Sequence, residues 1–137
     1  MESALRAAPP ESWQRLWSAV DEVLDQKPEA QASWQFENPD GPLSLPHVDY
    51  SDAIRRMTEA IYEVDAIVGF PWTKWDFKTA YPGGRDLETA ADAARVLTAV
   101  ICGERFSDGT ILAALTAGTL TSALQRLRTW HEQQTDR

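Results

Sequence analysis

All eight prolines of this chain lie at or before position 82, and the residues after it carry apolar side chains at helical spacing almost without a break. Proline opposes helix interiors more strongly than any other residue, so this distribution commits the C-terminal part to helices. Leu87, Ala90 or Ala91, Ala94, Leu97 and Ile101 form one apolar stripe, with Asp86 placed to cap it and Gly103 to end it. Ile111, Leu112 and Leu115 form a second, short helix capped by Asp108 and running through Thr116. Gly118 turns the chain, and Thr119 opens a last helix along Leu120, Leu124, Leu127 and Trp130.

The N-terminal half reads as helices separated by loops. Pro9-Pro10-Glu11-Ser12 starts a helix whose apolar face is Trp13, Leu16, Trp17, Val20, Val23 and Leu24, and Lys27-Pro28 ends it. Residues 28–50 hold Pro28, Pro39, Pro42, Pro46 and Gly41, a long Pro-rich loop in which Trp34 and Phe36 alternate with polar neighbours as in a short strand. Ser51-Asp52 caps a helix along Ile54, Met57, Ile61, Val64 and Val68, with Gly69 as a left-handed stop. Phe70, Trp72, Trp75, Phe77 and Tyr81 crowd a short segment, expected to be a helical turn or two after Pro71, before the break at Pro82-Gly83-Gly84. The expectation is an all-α fold: one domain over 1–137, a bundle of five or six helices with an extended loop at about 28–50 that allows a short strand pair.

Composition narrows the chemistry. At 137 residues the chain is long enough for a real core. Its single cysteine, Cys102, excludes an internal disulfide or a cysteine metal cluster, and its place beside Ile101 suggests a small buried apolar residue. The start has no apolar signal region, and no apolar run approaches a membrane span, so a cytoplasmic location and no membrane partner are expected. Residues 1–70 contain 13 acids and 5 bases, whereas residues 71–137 contain 8 of each. The whole excess of −8 therefore lies in the first half, a field that repels phosphates and draws in basic partners.

The Phe70-Pro71-Trp72 and Trp75 cluster, the Leu97-Thr98-Ala99 run, Arg105-Phe106, Gly109, Gly118 and Arg126-Leu127 resemble the C-terminal core of an uncharacterised bacterial domain family of unknown function, over residues 70–128. The resemblance implies a fold and leaves the activity open. Family members commonly carry a basic residue where Cys102 stands here, which weakens any phosphate site built from clustered arginines. The resemblance is strongest in the Glu104-Arg105-Phe106-x-Asp108-Gly109 turn, where Phe106 is expected to plug the core. Arg105 is expected to bond the last carbonyls of the preceding helix or an acid, or else to present its guanidinium to an anionic ligand.

Several constellations invite function. Six tryptophans are many for this length; Trp13, Trp17 and Trp130 fall on apolar helix faces, whereas Trp34, Trp72 and Trp75 sit in or beside loops, where tryptophan often anchors partners. Residues 108–130 have a helix-turn-helix outline offering Arg126 and Arg128, yet residues 103–137 contain four acids and four bases and lack the basic footprint of a nucleic-acid reader. Asp21, Glu22 and Asp25, with Glu59 and Glu63, faintly suggest the magnesium-binding acids of all-α nucleotide pyrophosphohydrolases of the MazG type, without the required downstream spacing. His47 and His131 are far apart, and no Walker A loop, G-x-G-x-x-G fingerprint or G-x-S-x-G elbow is present. No cofactor, metal or catalytic residue is expected. The reading is a small acidic protein-interaction module, a regulator or inhibitor of the kind found among phage and mobile-element accessory proteins such as anti-CRISPR proteins. Its partner would be a protein with a basic surface, and the candidate contacts are Trp34, Phe36, Trp72, Trp75, Arg105 and Arg126.

Overall fold

Pro9 and Pro10 start the first long helix as their fixed φ suggests, with Pro10 in the first turn, where its missing N–H costs nothing. In the computed structural model, which describes residues 2–35 and 47–135, this helix is α2 (Pro10–Leu24), preceded by a short α1 (Glu2–Ala7). A hairpin follows, β1 (Ala32–Gln35) antiparallel to β2 (His47–Tyr50), with Trp34 opposite Val48. Then come α3 (Asp52–Glu63), α4 (Phe77–Ala80), α5 (Ala90–Glu104), α6 (Thr110–Ala117) and α7 (Thr119–Thr135). The all-α bundle with a strand pair in the loop is as expected. The described residues add the short α1, too brief to show a periodic stripe, and α4 gives the helical turn expected after Pro71. Leu5 alone anchors α1 and is fully buried.

Two helix pairs carry the core. α2 packs along α3 and α5 along α7, with α6 against both members of the second pair. Leu16, Val20 and Val23 on α2, Ile54, Met57 and Ile61 on α3, Val96, Leu97 and Val100 on α5, and Leu120, Leu124 and Leu127 on α7 are all buried in one continuous cluster. Gln31 makes the bend from α2 into the hairpin. Its buried Nε2 donates to the carbonyls of Val23 at 2.8 Å and Gln26 at 3.3 Å, satisfying the open end of α2. Its own carbonyl accepts from the amide of Ser51 at 2.8 Å, and the Ser51 side chain in turn caps α3 through the Ile54 amide.

Three boundaries differ from the sequence reading. α3 stops at Glu63, and the left-handed residue beyond it is Asp65 (φ 59), not Gly69. Val64 and Val68 kept the helical spacing by coincidence: Val64 is buried just past the helix end, and the Val68 amide is tied to Thr98 Oγ1 on α5 at 2.9 Å. Thr98 also donates to the Ala94 carbonyl at 2.7 Å, so one hydroxyl staples the extended segment to the helix.

α5 starts at Ala90, not Leu87, because Thr89 and Asp92 form a reciprocal capping box that outcompetes Asp86. Asp92 further accepts from the Tyr81 hydroxyl at 2.8 Å and from the amides of Glu88 and Thr89 at 3.2 Å. Burial alone would raise its pKa, but these donors outweigh it and hold the carboxyl below the ordinary range. Its contribution to stability is therefore complete above the unfolded-state pKa and is lost as pH falls through the lowered one. The start of α6 is the third difference, and it shapes the site described below.

Among the described residues, no helix is long and apolar enough to cross a membrane.

The tight turn Pro82–Gly84 lies against the start of α7. Gly83 and Gly84 both hold positive φ, +62 and +81. A Cβ on Gly84 would come within 2.4 Å of Ser122 Cβ and 3.2 Å of Thr119 Cα, whereas one on Gly83 would meet nothing closer than 3.9 Å. Gly83→Ala should cost about 1–2 kcal/mol for its left-handed backbone. Gly84→Ala should cost at least about 1 kcal/mol more through overpacking. Equilibrium urea denaturation of the two variants checks the order.

Candidate functional site

The turn from α5 to α6 is organised by Glu104. Its Oε2 accepts from the amide of Gly109 at 2.8 Å and its Oε1 from the amide of Ile111 at 2.9 Å. The Tyr50 hydroxyl at the end of β2 donates to the same Oε1 and accepts from the Leu112 amide at 3.2 Å. These contacts satisfy the amides that the first turn of α6 leaves open, and they put a carboxylate where the helix dipole favours one. Asp108 therefore does not cap this helix. Gly109 occupies the cap position in the left-handed region (φ 92), and the side chain that serves it comes from five residues upstream. Burial first, then the bond to Glu104, raises the Tyr50 pKa well above that of a free phenol, so the hydroxyl stays a donor at any physiological pH.

With Glu104 turned inward, Phe106, two residues on and more than half a helical turn around, faces out. It is 80% exposed, which overturns the expectation that it fills the core. Trp72 stands beside it with ring centroids 5.8 Å apart. Arg105, expected to bond helix-end carbonyls or an acid, instead donates from Nη2 to the Tyr62 hydroxyl at 3.4 Å. Tyr62 is 38% exposed and lies next to Cys102. Cys102 is half-buried rather than enclosed, with Tyr62 of α3, itself partly exposed, as its neighbour. At the other end of the turn, Trp34 lies over Gly109, where a Cβ would approach its Cζ2 to 2.7 Å; the indole is 42% exposed.

The structure thus gathers Trp34, Trp72 and Arg105 around one turn and adds Phe106 and Tyr62. Trp75 is not among them. It is half-buried, set edge-on to Phe70 at 5.4 Å and Tyr81 at 6.0 Å, and helps hold the segment that carries Trp72. Arg126 lies apart on α7, half-buried, its Nε enclosed without a hydrogen-bond partner among the described residues. Phe36 falls outside the described residues.

Several charged residues of the other constellations form exposed ion pairs. Glu22 pairs with Arg56, Glu63 with Arg15 at 2.9 Å, and Asp21 with Arg128 at 2.7 Å, so each of these acids is engaged by its own arginine, and Glu22, Glu59 and Glu63 line one shallow pocket between α2 and α3. Among the described residues, no three metal-ligating side chains converge. Arg128 also lies 5.2 Å over the Trp17 ring, and Ser122 abuts Gly84, so much of the polar side of α7 is already engaged. Sequence reasoning placed Glu104 in the distinctive turn without giving it a role, and it missed the roles of Tyr50 and Tyr62. A glutamate five residues before a glycine that opens an apolar segment could have revealed the first. Tyr50 and Tyr62 carry no local signal, since their partners lie far along the chain.

If Phe106 is a surface group and Glu104 the structural one, alanine at the two positions should behave oppositely. Phe106→Ala should change stability by no more than about 0.5 kcal/mol. Glu104→Ala should cost about 1–3 kcal/mol, because two amides and a phenol lose their acceptor. Denaturant midpoints of both variants test this.

No curated protein and no solved structure matches the chain. A sequence model described as a family of unknown function, DUF6508, matches residues 8–133, reaching well upstream of the 70–128 core. From α2 through nearly all of α7, the chain belongs to the DUF6508 family.

Proposed function

We propose that the chain is a cytoplasmic protein-interaction module, a regulator or inhibitor that works by covering a basic surface of its partner. The observation that supports this most is the exposed Phe106, flanked by Trp72 and by the Arg105–Tyr62 pair on a turn that Glu104 and Tyr50 hold rigid. A large ring held out on a braced turn loses little entropy on binding, and aromatic and arginine side chains dominate interface energetics. The excess of 13 acids over 5 bases in residues 1–70 supplies the long-range attraction for a basic partner, and the aromatic turn supplies the contact.

The test compares pull-downs from native lysate with the wild-type chain and with Phe106→Asp as bait, each first shown to have the wild-type melting temperature. A basic protein held by the wild type should bind Phe106→Asp at least about tenfold more weakly, and its association should slow with added salt. Equal capture by both baits would overturn the proposal. A salt-sensitive gel shift with nucleic acid that Arg126→Ala abolishes would replace it with the nucleic-acid reading.

A further inference from the structure

The hairpin is two strands wide, so each strand has an outer edge that no further strand of the described residues covers. The pairing register fixes which backbone groups lie there. Ser51 donates its amide to the Gln31 carbonyl at 2.8 Å, which makes 31 and 51 a hydrogen-bonded pair just beyond the strand ends. Along an antiparallel ladder such pairs alternate with pairs that exchange no bonds. Ser33–Asp49 and Gln35–His47 are therefore bonded pairs, whereas Ala32–Tyr50 and Trp34–Val48 are not. The N–H and C=O of Val48 and of Tyr50 point away from β1, and no backbone group of the described residues bonds them. A row of such groups is a template for another strand.

The space beside this edge is open. A groove of about 350 Å³ runs between β2 and α3 and reaches the start of α6. Val48, Asp49 and Tyr50 all line it, and no residue of β1 does. Successive side chains of a strand point to opposite faces, so a space bordered by all three lies along the edge of β2 and not on one face of the hairpin. Across it stand Arg55 and Glu59, both on the exposed side of α3. Arg55 is already paired with Asp52 at 3.6 Å, whereas Glu59 has no ion pair among the described residues. The carboxylates of Asp49, Asp52 and Glu59 thus outnumber the one guanidinium, in the half of the chain that holds the whole acidic excess. The groove also adjoins the α5–α6 turn: Ile111 lines it and bonds Glu104 through its amide, and Tyr50 lines it and bonds Glu104 through its hydroxyl.

We propose that the outer edge of β2 takes up an extended, lysine-bearing segment of a protein partner, which joins the hairpin as a third strand. The inference rests on the reading of the chain as an interaction module for a basic partner and supplies that partner with a contact read through the backbone. Two donors and two acceptors at Val48 and Tyr50 give the affinity of strand addition, and the surplus of carboxylates selects basic side chains on the added strand. A second copy of this chain is a poor occupant, because its own β2 would bring like charges together.

The probe is the peptide acetyl-Lys-Val-Lys-Val-Lys-Val-amide, titrated into the full isotope-labelled chain and followed by amide resonances. Its counterpart is the same peptide N-methylated at every peptide bond, which keeps the side chains and the charge and loses the main-chain donors. The unmodified peptide should bind with a Kd below about 1 mM, and its counterpart at least about tenfold more weakly. The amides of Val48 and Tyr50 should become protected from hydrogen exchange. Val48→Pro deletes an N–H that the ladder does not use, a place where edge strands tolerate proline, and should weaken the peptide about tenfold in a folded protein. Should that variant fail to fold, the two peptides still decide the matter on the wild-type chain. Absence of saturable binding, equal binding of the two peptides, or protection that leaves out Val48 and Tyr50 would each overturn the proposal. A basic protein from lysate that is lost by Phe106→Asp but kept in full by folded Val48→Pro would overturn strand addition and leave the interaction reading standing.

Discussion

The carboxylate of Glu104 is the point on which the arrangement of this chain turns. It sits at the last residue of α5, serves the first amides of α6 and receives the hydroxyl of Tyr50 from the end of the hairpin. Two consecutive helices and a hairpin end more than fifty residues upstream thus meet at one group whose charge is matched by a helix dipole and a phenol. The consequences spread outward. Because Glu104 faces in, Phe106 faces out; because Gly109 takes the left-handed cap position, Trp34 can lie flat upon it. An aromatic surface and a structural lock are therefore made from the same six-residue turn.

The acidic half of the molecule is organised by the same economy of polar groups. Arg15, Arg56 and Arg128 each join α2 to a neighbouring helix through Glu63, Glu22 and Asp21. These pairs are substantially exposed, and each adds little stability alone. They do fix orientation: Arg128 bridges α7 to α2 while covering the face of Trp17, which itself bonds His131. A chain of contacts from acid to arginine to indole to imidazole thereby links the outer surface of α2 to the last turns of α7.

The sequence made the helices legible because their apolar spacing is local. The stripes along α2, α5 and α7 and the pairing near Trp34 follow from residues within a few turns of one another. What it hid was decided by partners far away. Val68 looked helical but is held by Thr98, and Asp86 looked like a cap but loses to Thr89 and Asp92, with Tyr81 adding its weight. Phe106 looked like core because a phenylalanine in a short turn usually is, and only the inward commitment of Glu104 reverses it. Of the candidate contacts, Trp34, Trp72 and Arg105 were found by residue type alone, and their convergence on one turn came from the fold.

The placement of the tryptophans has an optical consequence. Trp13, Trp17 and Trp130 lie within about 6 Å of one another or of His131, Trp72 stands beside Phe106, and Trp34 covers Gly109. Trp13 stacks on Trp17 and lies tilted against Trp130, so it is the ring through which these three indoles can couple in near-ultraviolet circular dichroism. Trp34, 42% exposed, stands at the water boundary of the turn. The buried indoles and the partly exposed Trp34 thus report from different parts of the molecule, with no label attached to either.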